Sequence, residues 1–330
     1  MRRGLKCVIP DKEKQYMGVI FTNIAAVFLI MGVGFAANKA GMLPEEANKY
    51  LSPLLIKITT PCMVLANIAS REVEEGMWHS VVTALVCFAL YFVIFCFIAW
   101  VLCAKIMKMK GDDDCGVFMM LFASINNGFI GLPITLAIFG EEKMFYMVFF
   151  QMALILYIYG PGVLQVHYGE NIKGRGLSAL KTALGSGTLA AIIGIAMLAL
   201  GLKLPELLFR ALDTIGSATT PLSMIVIGIQ LGSSDFKGII RNKKLMAESA
   251  IKMALTPVIT FLLVNWLPIP SVIKLVAVFG ASFPSAVATT PIAAMEGKNT
   301  QLAAEGVVLT TLMSVITIPV TAYLVSMIYM

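Results

Sequence analysis

Residues 123–134 read ASINNGFIGLPI, and they interrupt an apolar run from Val117 to Phe139 with two asparagines, two glycines and a proline. A helix cannot pass through such a dozen unchanged. Pro133 has no N–H and clashes with the preceding turn, which frees the carbonyl of Phe129. Gly128 and Gly131 let the backbone leave helical geometry cheaply, while Asn126 and Asn127 tolerate left-handed conformations and bring amide donors. Surrounded by hydrocarbon, each unpaired backbone group costs several kcal/mol, so the break must be enclosed by protein or line a cavity.

That surrounding is hydrocarbon because the whole chain is built for a membrane. Of 330 residues, 58% are hydrophobic and 13% charged, with mean hydropathy +0.87, which excludes an ordinary soluble core. Ten apolar runs are long enough to cross a bilayer: about 17–38, 46–69, 78–104, 115–139, 143–166, 184–203, 206–231, 247–267, 271–295 and 302–329. They use most of the chain and leave no room for a soluble domain. The fold class expected is therefore all-α, with ten transmembrane helices.

The interruption has a partner. ASFPSAVATTPI at 281–292, in the ninth run, aligns with ASINNGFIGLPI in the fourth, and TTP occurs both at 59–61 in the second run and at 219–221 in the seventh. Both matches carry span n onto span n+5, with offsets of 158 and 160 residues. An odd number of spans per repeat makes the second copy enter the membrane from the opposite side, so the halves read as inverted repeats. The division expected is a tail at 1–16, a first five-span repeat at 17–166, a loop at 167–183 and a second repeat at 184–330. Broken helices four and nine are then symmetry mates, the best sequence pointer to a transport site.

In the ninth run, Pro291 and Pro284 are expected to free the carbonyls of Val287 and Gly280. Second half-helices starting near Gly131–Pro133 and Thr289–Pro291 turn their free N–H groups and positive dipole ends toward the cavity. With Asn, Ser and Thr beside them, these ends suit an anion such as a carboxylate better than a bare cation. No Asp falls in either broken run, whereas a cation/proton antiporter of related design would want a buried carboxylate there.

Other polar residues weigh less. Lys57, one turn before Pro61, reads either as an accessory contact for an anion or as a snorkelling side chain. Glu305 and Lys252 lie within about two turns of a span end, so an interfacial place competes with a coupling role. Gln151 and Asn23 read first as interhelical hydrogen bonds, with Gln151 also an accessory site candidate. His79 and His167 are the only histidines, and no HExxH or helical Gly-x-Gly-Asp is present, so an enzyme lacks its catalytic groups. GDDDCG at 111–116 reads as solvated charge, and six scattered cysteines show neither zinc nor redox spacing. No metal and no cofactor is expected, and the sequence is silent on coupling to H+ or Na+.

The net charge of +6 does not point to nucleic acid, because the basic residues fall in short loops. Lys39, Lys49, Lys105, Lys108, Lys110, Lys173, Arg175, Lys181, Lys237, Arg241, Lys243, Lys244 and Lys298 lie in one alternating set, and only Arg71, Lys143, Lys203 and Lys274 in the other. The positive-inside rule makes the first set cytoplasmic, with both termini outside and loop 167–183 inside. Five basic residues in MRRGLKCVIPDKEKQY oppose this, a conflict that translation from Met17 would remove.

NNGFIGLPI in the fourth run, GFAANKAGMLP after the first, TTPLSMIVIGIQL in the seventh and LTTLMSVITIPV at the C-terminal end together resemble the auxin efflux carrier family, in the compact form of bacterial malate and malonate permeases. The likeness runs from Met17 onward. It implies a bile-acid symporter-like or sodium/proton antiporter-like fold, a homodimer in the cell (inner) membrane, and a mobile group of helices three to five and eight to ten against a scaffold of one, two, six and seven. Substrate carboxylates would meet Asn126, Asn127 and the stretch Ser285 to Pro291. Helix three has no ionisable residue after His79 and the central loop is short, which argues against auxin itself.

The expectation is thus a secondary transporter of small organic anions such as malate, working by alternating, elevator-like access. Its substrate-binding set is Asn126, Asn127, Gly128, Gly131, Pro133, Ser285, Thr289, Thr290 and Pro291. A membrane-embedded ligand sensor using the same break, or a sodium-coupled symporter of another solute, is the alternative.

Overall fold

A computed structural model describes residues 11–170 and 186–330, and every regular element among them is a helix. α1 (Asp11–Lys39) leads to α2 (Asn48–Leu54), which passes through a wide π turn at Leu55–Thr59 into α3 (Thr60–Ala69). The wide turn answers a chemical need: Pro61 removes a donor from the first turn of α3, and the Thr60 N–H reaches back to the Leu55 carbonyl. α4 (Met77–Trp100) ends in a second π turn, Val101–Ile106. Then come α5 (Cys115–Ala123), α6 (Leu132–Tyr157) and α7 (Val163–Val166).

The second half holds α8 (Ser186–Ala199), α9 (Glu206–Ser217), α10 (Thr219–Ser233), α11 (Phe236–Arg241), α12 (Lys243–Asn265), α13 (Ser271–Ala281), α14 (Thr289–Met295) and α15 (Thr300–Tyr329). Among the described residues, seven helical stretches are long and apolar enough to cross a membrane alone, and α8 and α13 are shorter apolar helices. Seven differs from the expected ten for physical reasons. The stretch Cys115–Val166 runs through two expected spans that meet at Gly140, whose φ of 77° and ψ of −174° divide α6. The break after α13 cuts another span short, and α8, described from Ser186 onward, has 14 residues.

Helix one also starts earlier than expected, at Asp11, so residues 11–16 of the supposed tail are helical. Residues 1–10, and 171–183 of the central loop, lie outside the described residues. Large apolar side chains cover the outer surface: Leu29, Val33, Val93, Phe97 and Ile316 are all mostly exposed. In water this would be an aggregation hazard; facing lipid it is the stable arrangement.

The helices pack as two groups. α1 packs along α10, and α3 packs on α8 and α9. Glycines bring these backbones together: a Cβ on Gly228 would stand 2.1 Å from the Met31 carbonyl oxygen, and one on Gly34 would stand 2.4 Å from that of Ile225. Small residues at membrane helix crossings permit this close approach. α4, α5, α6 and α12 to α15 form the second group, around an aromatic cluster in which Phe150 stacks on Phe88 and meets Tyr91 edge-on.

The basic loops converge on one face. Lys244 pairs with Asp112 at 3.0 Å, Lys298 with Glu170, His167 with Glu296 at 2.8 Å, and Asn299 donates to Asp114 at 3.0 Å. These bonds tie together the loops after α4, α7, α11 and α14. Lys203 and Glu72, from the sparsely basic set, pair at 2.9 Å in the loops before α9 and before α4. The alternation read from the sequence therefore survives as physical neighbours within the basic set.

Candidate functional site

The two interruptions meet. α5 ends where Ser124 turns extended (φ −75°, ψ 150°), and two residues on the Asn126 N–H donates to the Pro284 carbonyl at 2.8 Å. The Ala286 N–H donates to Ser124 Oγ at 3.2 Å, and that hydroxyl lies 3.2 Å from Thr289 Oγ1. Gly131 sits at the crossing, because a Cβ there would come within 2.8 Å of the Phe283 ring. Backbone pairing between two broken helices supplies what each lost, as hydrocarbon requires.

Side chains and backbone groups also meet carbonyls at the ends of both first half-helices. Ser285 Oγ donates to the Leu121 carbonyl at 2.7 Å, and Lys252 Nζ donates to the carbonyls of Leu121 (2.6 Å) and Ser124 (2.5 Å). One turn along α12, Thr256 Oγ1 donates to Ala281 at 2.7 Å, and Thr317 Oγ1 to Ser282 at 3.2 Å. The carbonyls of Gly280 and Val287, expected to be freed by prolines, instead accept from the N–H groups of Phe283 (3.1 Å) and Thr290 (3.3 Å). The chain tightens by one residue per turn there and recovers the bonds.

Helical winding in the fourth run resumes earlier than expected, in a π turn at Asn127–Gly131 ahead of Pro133, whereas in the ninth run it resumes at Thr289 as expected. α6 opens at Leu132 with Pro133 in its first turn, and α14 opens at Thr289 with Pro291 two residues on. Yet α14 has only seven residues, and α6 leaves helical geometry at Gly140. Opposed helix dipoles are therefore a weaker anion site than the sequence suggested.

Side-chain amides are the stronger feature. Asn126 Oδ1 caps the next turn by accepting from the Phe129 N–H at 3.3 Å, and its Nδ2 is buried with no partner. Asn127 is fully buried with neither amide atom paired, and the buried oxygens Gln151 Oε1 and Thr290 Oγ1 are likewise unpaired. Buried polar groups are normally bonded, so this concentration makes the place a candidate for binding water or solute. A cavity of about 190 Å³ opens beside it, lined by Asn126, Gly128 and Gln151 on one wall and by Leu55, Thr60 and Thr188 on the facing wall. It lies on the seam between the two helix groups.

Of the expected site residues, Asn126, Gly128 and Gln151 line this cavity, whereas Asn127, Gly131 and Pro133 stand behind its wall in the crossing. Ser285 and Thr289 are committed to holding the crossing: both are fully buried, and their hydroxyls bond within the protein. Gln151 is a cavity residue more than an interhelical bond, while Asn23 does bridge helices, donating to the Ala137 carbonyl at 2.6 Å. Lys57 is exposed on the π turn and away from the cavity. Glu305 accepts from Gln301 at 2.9 Å near the start of α15, as an interfacial residue would.

Lys252 corrects the expectation most. It is not interfacial but fully buried, because α12 begins four residues before the apolar run does and carries Lys252 about 13 Å along the helix. Glu248, one turn earlier, is also fully buried. A signal was present: Glu248, Lys252, Thr256 and Thr260 recur every four residues, a polar stripe on one face of an apolar helix.

Comparison with known proteins agrees with this architecture. A family model described as membrane transport protein matches residues 19–173 and 176–322. An uncharacterized transporter of Methanocaldococcus jannaschii is 27% identical over 305 residues, covering 89% of this chain and 95% of that protein. Another, from Methanothermobacter thermautotrophicus, is 22% identical over 307 residues, covering 92% and 97%.

Proposed function

This chain belongs to the membrane transport protein family, the auxin efflux carrier family, and on that premise we propose that it is a secondary carrier of small organic anions, with carboxylates of the malate type as its solutes. The observation that carries the reading is the cavity at the crossing, with the unpaired Asn126 Nδ2 on its wall and the unpaired Asn127 amide immediately behind it. Amide N–H groups enclosed by apolar wall are effective partners for a carboxylate, since charge-assisted hydrogen bonds strengthen where water is excluded. Gln151 completes the polar side, while Thr290, unpaired, lies outside the lining, and Gly128 keeps space open: a Cβ there would stand 3.2 Å from Gln151 Nε2.

The seam position supports alternating access of the elevator kind. One group, α1 to α3 with α8 to α10, is fastened through glycine contacts and serves as scaffold. The other carries the crossing and moves. A homodimer through the scaffold, in the cell membrane with termini outside, belongs to the same reading. Lys57 and Glu305 have no part in binding.

The test is direct. Purified protein is screened by thermal shift against mono- and dicarboxylates, and the stabilising anions are then followed as labelled solutes in proteoliposomes. Asn126→Ala, Asn127→Ala and Gln151→Ala should each cut flux at least tenfold while the protein still melts cooperatively. Undiminished flux in all three removes the site assignment, and saturable binding without flux indicates a sensor.

A further inference from the structure

Lys252 is the one buried cation among the described residues with three oxygen partners, and the binding reading above does not use it. Its Nζ donates to the Leu121 carbonyl (2.6 Å), the Ser124 carbonyl (2.5 Å) and Ser285 Oγ (2.8 Å). An ammonium has three hydrogens, so these partners saturate it. The carbonyls belong to the last turn of α5, the negative end of a half-helix, and the hydroxyl comes from the other broken segment. Both interruptions thus converge on one positive charge. Glu248 lies one turn away on the same face of α12 and makes the buried set electrically neutral.

Unwound carbonyls and half-helix C-termini at such breaks are where transporters of this architecture coordinate a coupling cation. We propose that the Lys252 ammonium is a resident, tethered cation in that position, so that this protein binds its solute without an alkali ion. The inference rests on the carrier reading for its consequence, but on the crossing alone for its geometry. Lys252 does not line the cavity. It acts as a positioning residue, holding α5 and the Ser285 segment together.

The full-length protein is melted in sodium, potassium and choline chloride at equal ionic strength. Wild type should melt at the same temperature in all three. Lys252→Ala leaves the two carbonyls and the hydroxyl without their cation; it should melt several degrees lower in choline and recover part of that loss in sodium or on adding ethylammonium. A sodium-specific stabilisation of wild type overturns the proposal, as does a folded alanine variant indifferent to sodium and ethylammonium. If the alanine variant does not fold in any of these salts, Lys252→Gln, which removes the charge and shortens the side chain, takes its place with the same expected recovery in sodium, and its indifference to sodium and ethylammonium overturns the proposal in the same way. Flux separates the two readings: anion transport that requires sodium removes the tethered cation and leaves the carrier, whereas sodium-independent melting with no flux of any carboxylate removes the carrier alone.

Discussion

Gly128 and Gly131 do different work at the crossing. A Cβ on Gly131 would stand 2.8 Å from the Phe283 ring and 3.1 Å from Asn127 Oδ1, whereas one on Gly128 meets only the Gln151 amide, at 3.2 Å. Gly131→Ala should therefore wedge the two broken helices apart and lower stability by about 1–3 kcal/mol, the usual cost of overpacking. Gly128→Ala should leave the melting temperature near wild type but weaken anion binding, since its methyl group enters the cavity; paired melting and binding isotherms of the two variants check this. Asn126, Asn127 and these glycines were legible in the sequence because a polar cluster in an apolar run has no other economical explanation. Lys252 was missed despite its polar stripe, because its depth depends on where α12 begins, and the cap at Asn242, whose Oδ1 accepts from the Leu245 N–H at 3.1 Å, lies outside the apolar run.

At the level of elements, hydropathy locates helices well and their interruptions poorly. The fourth and fifth spans were separated correctly, near residue 140, since Gly140 and the charged residues after it mark a turn. Both ends of α14 were legible, at Thr289–Pro291 and at residue 295 where the ninth run stops, but the π turn at Asn127–Gly131 ahead of α6 was not, because apolar counting does not separate it from regular helix. The same limit hid the π turn at Leu55–Thr59, which Pro61 requires but which hydropathy cannot distinguish from regular helix. Contacts between elements were equally silent. The glycine in TTPLSMIVIGIQL lies against the backbone of α1, and Gly228→Ala should lower stability by about 1–3 kcal/mol, with the loss seen in detergent melting and not in the affinity for anions.

Across the whole molecule, the face formed by the basic loops is held by ion pairs, and one of them gives it a defined response to acid. Lys298 and then His167 bond the Glu170 carboxylate and hold its pKa at about 2, below the usual 4.5. Its contribution is complete above about pH 4.5 and is lost as pH falls toward 2. Glu170→Gln should melt slightly below wild type at neutral pH, with the gap closing as the pH is lowered through that window, and high salt should shrink the effect because the carboxylate is half exposed. A gap that widens on acidification would contradict this assignment. The alternating charge of the loops had predicted the common face, since it depends on composition; which side chains pair there depends on packing.

The seam that holds the cavity divides its chemistry unequally. The amides of Asn126 and Gln151 stand on the group that carries the crossing, and the opposite wall is mostly Leu55, Ile56, Val64 and Ala191, with hydroxyls only from Thr60, Ser186 and Thr188. Under the proposed sliding, the amide contacts travel with the solute, and only hydroxyl contacts to Thr60, Ser186 and Thr188 and undirected apolar contacts must be exchanged along the way. Recognition and passage are then read by different surfaces: the head group of a ligand decides whether it is held, and the bulk of its flank decides whether it is cargo or a plug.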